Sequence, residues 1–232
     1  ITIEKEIYNL KAYFETPITE DELRGVFNQY PDIQWELVRK VEQDWLEEWK
    51  KGFNAFELTN QIWVVPSWQK PPLEALKHIS IDPGMAFGTG THETTRLAAG
   101  LLCKLKKQNP RLTSLIDVGT GTGILAILAE LIGFSRIEAT EIDEMARAVA
   151  EENIEINHTK NILVLQNQID SVNTQFDVVL ANIIDGVLSQ IQEDLKRLCA
   201  PQGYLILTGI LKERQSIFLD HFNFSGFKIV DQ

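Results

Sequence analysis

The chain has 232 residues, enough for one sizeable domain and a smaller companion. At 44% hydrophobic and 24% charged it has the composition of a folded globular protein, and no apolar run approaches the roughly 20 residues of a membrane span. A formal net charge of -11 argues against a free nucleic-acid binder, and the two well-separated cysteines, Cys103 and Cys199, fit neither a disulfide framework nor a zinc site. Charge alone reads as solubility, and it also suits a basic protein as partner. With so few cysteines a reducing cytoplasm is expected, and no signal peptide is visible; a monomer with no membrane and no direct sequence-specific nucleic-acid contact is the further expectation. The first residue is Ile1, which places the expected natural N-terminus upstream.

In chain order, residues 7–14 read as a strand. Thr19 with Glu22 three positions on reads as a capping box that opens a helix running to about Tyr30. Residues 34–41 alternate, with Trp35 and Leu37 on one face, and 44–51 read as a short helix with Trp45 and Trp49 one turn apart. Residues 62–65 form a strand, and Pro66, Pro71 and Pro72 then mark a boundary. The five tryptophans, including Trp63 and Trp68, read best as packing residues. After the boundary the pattern becomes regular. Strands are expected at 114–118, 137–142, 162–166, 176–181, 204–209 and 227–230. Helices are expected from about His92 to Leu105 and at 124–132, 145–157 and 187–198, with a turn at 200–203. Strands alternating with helices imply βαβ units, so the fold class is α/β with a doubly wound, mostly parallel sheet.

The strongest signal is Leu115-Ile116-Asp117-Val118-Gly119-Thr120-Gly121-Thr122-Gly123-Ile124-Leu125. A buried strand feeds a turn with glycine at alternate positions, and a helix follows at once. The Gly-x-Gly-x-Gly spacing differs from the dinucleotide fingerprint, and no Lys-Ser or Lys-Thr follows to hold a phosphate. A wider glycine turn suits S-adenosylmethionine, which carries an amino-acid end and a sulfonium in place of a pyrophosphate. Glu141, 22 positions beyond Gly119, ends the next strand, where a carboxylate accepts hydrogen bonds from ribose hydroxyls. Asp143 fits a helix N-cap better than that role.

A second unusual stretch, residues 82–95, packs glycine, threonine and His92 between a strand and a helix. A loop of this kind folds over a ligand and donates hydrogen bonds, although single threonines such as Thr91 or Thr94 fit helix caps equally well. His92 reads as a structural hydrogen-bonder rather than a catalyst.

With DPGMAFGTGTHETT at 82–95, IDVGTGTGILAI at 116–127, EID at 141–143 and LANII at 180–184, the chain resembles the PrmA family, bacterial methyltransferases of large-subunit ribosomal protein eleven. DWLEEWKKGF at 44–53 and WVVPSW at 63–68 resemble the family's inter-domain stretch. The resemblance implies a class I (Rossmann-like) methyltransferase with a small ferredoxin-like α+β substrate-recognition domain before it. That domain is expected only in part over residues 1–57, with an inter-domain linker at 58–80 and the catalytic domain at 81–232. The family's last strand is expected to lie past Gln232.

The resemblance further implies S-adenosylmethionine as cofactor, with S-adenosylhomocysteine as product. Thr95, Gly119, Glu141 and Asn182 are the implied cofactor-binding positions, joined by Gly121 in the turn and by Phe87 and Thr91 in the preceding loop. The family usually has Asp where this chain has Glu141, and Asn-Ile-Leu where it has Asn182-Ile183-Ile184. Neither departure removes the chemistry.

Methyl transfer from a sulfonium needs in-line placement of a neutral amine more than acid or metal assistance. Asn182, where an apolar strand ends, is expected to position that amine. A plain turn or cap role is the alternative. Two other functional readings remain at this level: a class I methyltransferase acting on a small molecule or nucleic acid, and a catalytically silent cofactor-binding scaffold. Base amino-methyltransferases carry Pro-Pro-aromatic after the asparagine, and Ile183-Ile184 stand there in this chain.

Overall fold

The computed structural model describes residues 12, 18–38, 53–59, 62–82, 93–166 and 169–231. The chain divides into two compact units, Ile1–Gly52 and Phe53–Gln232. In the first, Thr19 caps helix α1 (Glu20–Phe27). The Glu22 N–H donates to Thr19 Oγ1 at 3.3 Å and the Thr19 N–H donates to Glu22 Oε2 at 2.8 Å, which completes the expected reciprocal box. The helix ends at Phe27, ahead of Tyr30, and Trp35 stacks on Phe27 with ring centroids 6.0 Å apart. Residues 34–38 alternate in sequence and form no strand. The expected strand at 7–14 (Ala12 apart) and helix at 44–51, with Trp45 and Trp49, lie outside the described residues.

In the second unit, β1 (Phe56–Thr59), β2 (Ile62–Pro66) and β3 (Lys77–Ile81) form a small sheet in the order β1-β2-β3, antiparallel then parallel. The segment 58–80, expected as a linker, therefore holds most of a sheet. Its Leu58, Ile62, Val64 and Ile79, with Ile81 just beyond, enter the main hydrophobic core. Pro66 closes β2, and Pro71 and Pro72 lie in the crossover to β3, so the prolines punctuate a motif inside a unit that starts at Phe53.

The large sheet comprises β4 (Ser114–Val118), β5 (Arg136–Thr140), β6 (Ile162–Leu165), β7 (Phe176–Asn182) and β8 (Cys199–Thr208), in the order β6-β5-β4-β7-β8. Every neighbouring pair is parallel. Helices α2 (Glu93–Gln108), α3 (Ile124–Leu131), α4 (Glu144–Ile156), α5 (Asp185–Gln190), α6 (Gln192–Leu198) and α7 (Gln215–His221) complete the described unit. Helix α3, Ile-Leu-Ala-Ile-Leu-Ala-Glu-Leu, buries its first six residues. A helix apolar on all sides needs cover on all sides, and α3 shares one core with β4, α2 and the small sheet. A second core on the opposite sheet face holds Leu195 and Leu198 of α6 and Phe218 of α7. Cover on both faces is what the continuous apolar strands require. Cys199 is buried, which pushes its thiol up to about 11, and Cys103 is partly exposed. No described helix is long and apolar enough to cross a membrane.

Three further expectations are corrected. The helix read over 187–198 is two helices that break at Ile191 (φ -98°, ψ 12°), where Gln192 Nε2 donates to the Ser189 carbonyl at 3.0 Å. A continuous apolar period cannot reveal such a break. The turn read at 200–203 lies within β8 as a bulge. Phe176 pairs with Cys199 and Val178 with Tyr204, and Gln202 takes a left-handed φ of 63°. Residues 227–230 form no strand, because an alternating segment needs a neighbour and no ladder reaches it among the described residues.

Leu180 sits mid-β7 with no solvent exposure. Leu180→Ala is expected to cost about 2–5 kcal/mol of stability, read as a lowered urea midpoint at unchanged m-value.

Candidate active site

Strand order β6-β5-β4-β7-β8 reverses direction of winding between β4 and β7, which is where parallel α/β sheets bind ligands at their carboxyl edge. The glycine turn leaves β4 at that edge and Asn182 ends β7 beside it. The sheet thus brings together residues 119 and 182, which are far apart in sequence.

Gly119, Gly121 and Gly123 all have positive φ, at 69°, 56° and 81°. A side chain at any of the three would be strained. The Gly119 and Thr120 N–H groups both donate to the Thr140 carbonyl at 2.9 Å, which ties the turn to the end of β5. Glu141 follows directly. Its Oε2 accepts from the Gly121 N–H at 3.0 Å and its Oε1 from the Asp143 N–H at 3.1 Å. Glu141 therefore braces the turn that it faces, and each carboxylate oxygen keeps further acceptor capacity. Asp143 caps α4, accepting from the Ala146 N–H at 2.8 Å, the role its position suggested.

Asn182 is held at both ends of its amide. Nδ2 donates to Thr95 Oγ1 at 3.1 Å, and Oδ1 accepts from Thr208 Oγ1 at 3.0 Å. Among the described residues this leaves one N–H and one carbonyl lone pair on the side chain. Thr95, in the first turns of α2, and Thr208, at the end of β8, are both buried. The expected pair Thr95 and Asn182 is therefore in direct contact. Phe87, Thr91 and His92 lie outside the described residues.

Four contributors escaped sequence reasoning. Asp117, the one carboxylate inside apolar β4, is 1% exposed and accepts from Thr120 Oγ1 at 2.6 Å. Burial pushes its carboxyl up to about 7; the Thr120 hydroxyl opposes that rise and the Glu141 carboxylate adds to it. Its polarity within a buried strand was the available signal. Thr208 was hidden because only the β7–β8 register sets it opposite Asn182. Ile142 is 83% exposed between two acidic residues just past the β5 edge, an apolar side chain left open to solvent. Asn153, fully buried on α4, donates from Nδ2 to the Thr122 carbonyl at 2.9 Å.

On the far side, Arg214 forms a two-pronged pair with Asp185, its Nε 2.9 and 2.7 Å from the two carboxylate oxygens. The guanidinium holds the Asp185 carboxyl below its ordinary range. This pair ties the segment after β8 to the start of α5, behind Asn182.

The family model for ribosomal protein L11 methyltransferase (PrmA) matches residues 2–232. The chain belongs to that family. It is 37% identical over 236 residues to the ribosomal protein L11 methyltransferase of Staphylococcus aureus strain JH1, covering 96% of this chain and 75% of that protein. The same figures hold for the protein of strain USA300 / TCH1516. Among solved structures, the ribosomal protein L11 methylase of Lactobacillus delbrueckii subsp. bulgaricus aligns with a TM-score of 0.65 at 30% identity, over 73% of this chain and 86% of that one. The fold is thus that of the class I methyltransferases, and the family's cofactor class, S-adenosylmethionine, fits the residues present. A glycine turn without phosphate-binding lysine, a carboxylate, an exposed isoleucine and a half-committed asparagine line one edge.

The raised Asp117 carboxyl gives a pH dependence. A folded-state value of about 7 against an ordinary 3.8 means that the folded chain holds an extra proton between those limits. The contribution of this group to stability therefore falls as pH rises from about 4 to about 7 and is level above that. Asp117→Asn is expected to flatten that part of the pH–stability curve. Parallel curves for variant and wild type in urea unfolding from pH 4 to 8 would contradict it.

Proposed function

We propose that the chain is an S-adenosylmethionine-dependent protein N-methyltransferase that methylates lysine and/or α-amino groups of ribosomal protein L11. The observation that carries the reading is the pairing, across the β4/β7 switch point, of the glycine turn with an asparagine whose amide is already oriented, in a chain matched over residues 2–232 by the L11 methyltransferase family model. Its relatives, methyltransferases of ribosomal protein L11, supply the substrate.

When bound, S-adenosylmethionine supplies an electrophilic methyl group on a sulfonium. Glu141 accepts hydrogen bonds from the ribose hydroxyls with the lone pairs that Gly121 and Asp143 leave free. Ile142 would offer the base an apolar face, and the Gly119–Gly121 backbone would hold the amino-acid end. Thr95 would join the cofactor-binding set, and the family resemblance adds Phe87 and Thr91 to it. Asn182 accepts an N–H from the substrate amine with its remaining carbonyl lone pair, which aims the nitrogen lone pair along the transfer axis. Thr95 and Thr208 fix the amide plane beforehand, so little ordering remains at the moment of reaction. A lysine amine has an ordinary pKa near 10.4. It must therefore reach the edge uncharged. The role of a dedicated base is assigned to no side chain.

Mass spectrometry of purified ribosomal protein L11, after incubation with the chain in its full-length form and isotope-labelled S-adenosylmethionine, is expected to find label on lysine or α-amino nitrogens. Label only on bulk RNA or small amines would sink the assignment. Asn182→Ala is expected to lower turnover about 100-fold while cofactor affinity falls far less. Unchanged turnover at intact affinity would remove the positioning role.

A further inference from the structure

Strand β3 is an edge of the small sheet, so the N–H and C=O groups on its open side need partners from elsewhere. Helix α4 provides them through two asparagines four residues apart. Asn157 Oδ1 accepts from the Ser80 N–H at 2.8 Å and its Nδ2 donates to the Ser80 carbonyl at 2.6 Å, as a neighbouring strand would. One turn earlier, Asn153 Oδ1 accepts from the Asp82 N–H at 2.7 Å. The spacing works because four residues of helix rise about 6 Å, close to the roughly 6.6 Å that two residues of strand advance.

The two asparagines then differ. Asn157 Nδ2 goes back to the strand and to the Asn153 carbonyl, whereas Asn153 Nδ2 reaches the Thr122 carbonyl in the glycine turn at 2.9 Å. Helix α4 lies close to that turn. A Cβ on Gly123 would stand 3.4 Å from the Ala150 carbonyl oxygen and 3.5 Å from its Cβ, and Ala150 precedes Asn153 by three residues on the same helical face. Asn153 and Thr122 are both fully buried, so water does not replace this bond.

We infer that Asn153 is a positioning residue for cofactor binding, which fixes the glycine turn against Asp82, the first residue of the glycine- and threonine-rich 82–95 stretch. It touches no reacting atom. It sets the relation between the glycine turn and Asp82, and the inference rests on the cofactor reading above. Asn157 has the same chemistry on the same strand without the link to the turn, and so serves as an internal control.

The test is calorimetric binding of S-adenosylhomocysteine to the wild-type chain and to Asn153→Asp, Asn153→Ala and Asn157→Ala, with thermal melting in parallel. Asn153→Asp keeps the acceptor for Asp82 N–H and sets an oxygen against the Thr122 carbonyl. Both Asn153 variants are expected to bind about tenfold more weakly or worse. Asn157→Ala is expected to melt lower and keep its Kd within about threefold of wild type. Wild-type affinity in the Asn153 variants, or an equal loss in Asn157→Ala, overturns the inference. Failure of the wild-type chain to bind at all removes the cofactor reading and the inference with it. Amide exchange on the wild type covers the case of unfolded variants. The ligand is expected to slow exchange at Asp82 together with 119–123, and protection confined to 119–123 overturns the proposal.

Discussion

The carboxyl edge depends on how closely three chain segments pass around Ile183. A Cβ on Gly119 would come within 2.9 Å of Ile183 Cδ1, and one on Gly209 within 2.4 Å of the Ile183 carbonyl oxygen. Both glycines have positive φ, at 69° and 90°. The turn after β4, the step after β7 and the exit from β8 therefore share one small volume: a side chain at Gly209 would meet the Ile183 backbone, and one at Gly119 would be strained by its positive φ and would displace the Ile183 side chain. The Ile183 N–H donates to the Thr208 carbonyl at 3.1 Å and fixes the same crossing from below. Asn182 lies one residue before this crossing, so its position follows from backbone contacts that a ligand does not need to create.

The rest of the site extends that preorganisation. Thr95 and Thr208 set the Asn182 amide, Glu141 and the Thr140 carbonyl brace the glycine turn, and Asp117 pulls Thr120 toward the strand. Polar groups fixed before the reaction cost little reorganisation during it, which suits a reaction governed by alignment. Asp117 is the expensive member, a carboxylate inside an apolar strand, and its carboxyl is pushed up to about 7 as a consequence.

Much of this was legible in the sequence because its causes are local. The capping box at Thr19 and Glu22, the N-cap at Asp143, the apolar strands and the left-handed glycines are decided within a few residues. The family resemblance was carried by contiguous motifs in the same way. Features decided across the sheet were not legible. Thr208 meets Asn182 only through the β7–β8 register, and Asn153 meets Asp82 only because α4 crosses the edge of β3. The strand at 62–65 is legible, but the proline cluster after it reads as a boundary until the core that receives Val64 and Ile79 is known. Residues 227–230 show the converse error: a strand pattern without a neighbour is not a strand.

The measurement that bears most directly on the account is a crystal structure of the chain with S-adenosylhomocysteine. Ribose hydroxyls are expected on Glu141, the base against Ile142, the amino-acid end along the Gly119–Gly121 backbone, and the sulfur facing Asn182 with its amide still held by Thr95 and Thr208. A ligand bound elsewhere, or at this edge without contact to Glu141 or with Asn182 turned away, would contradict it.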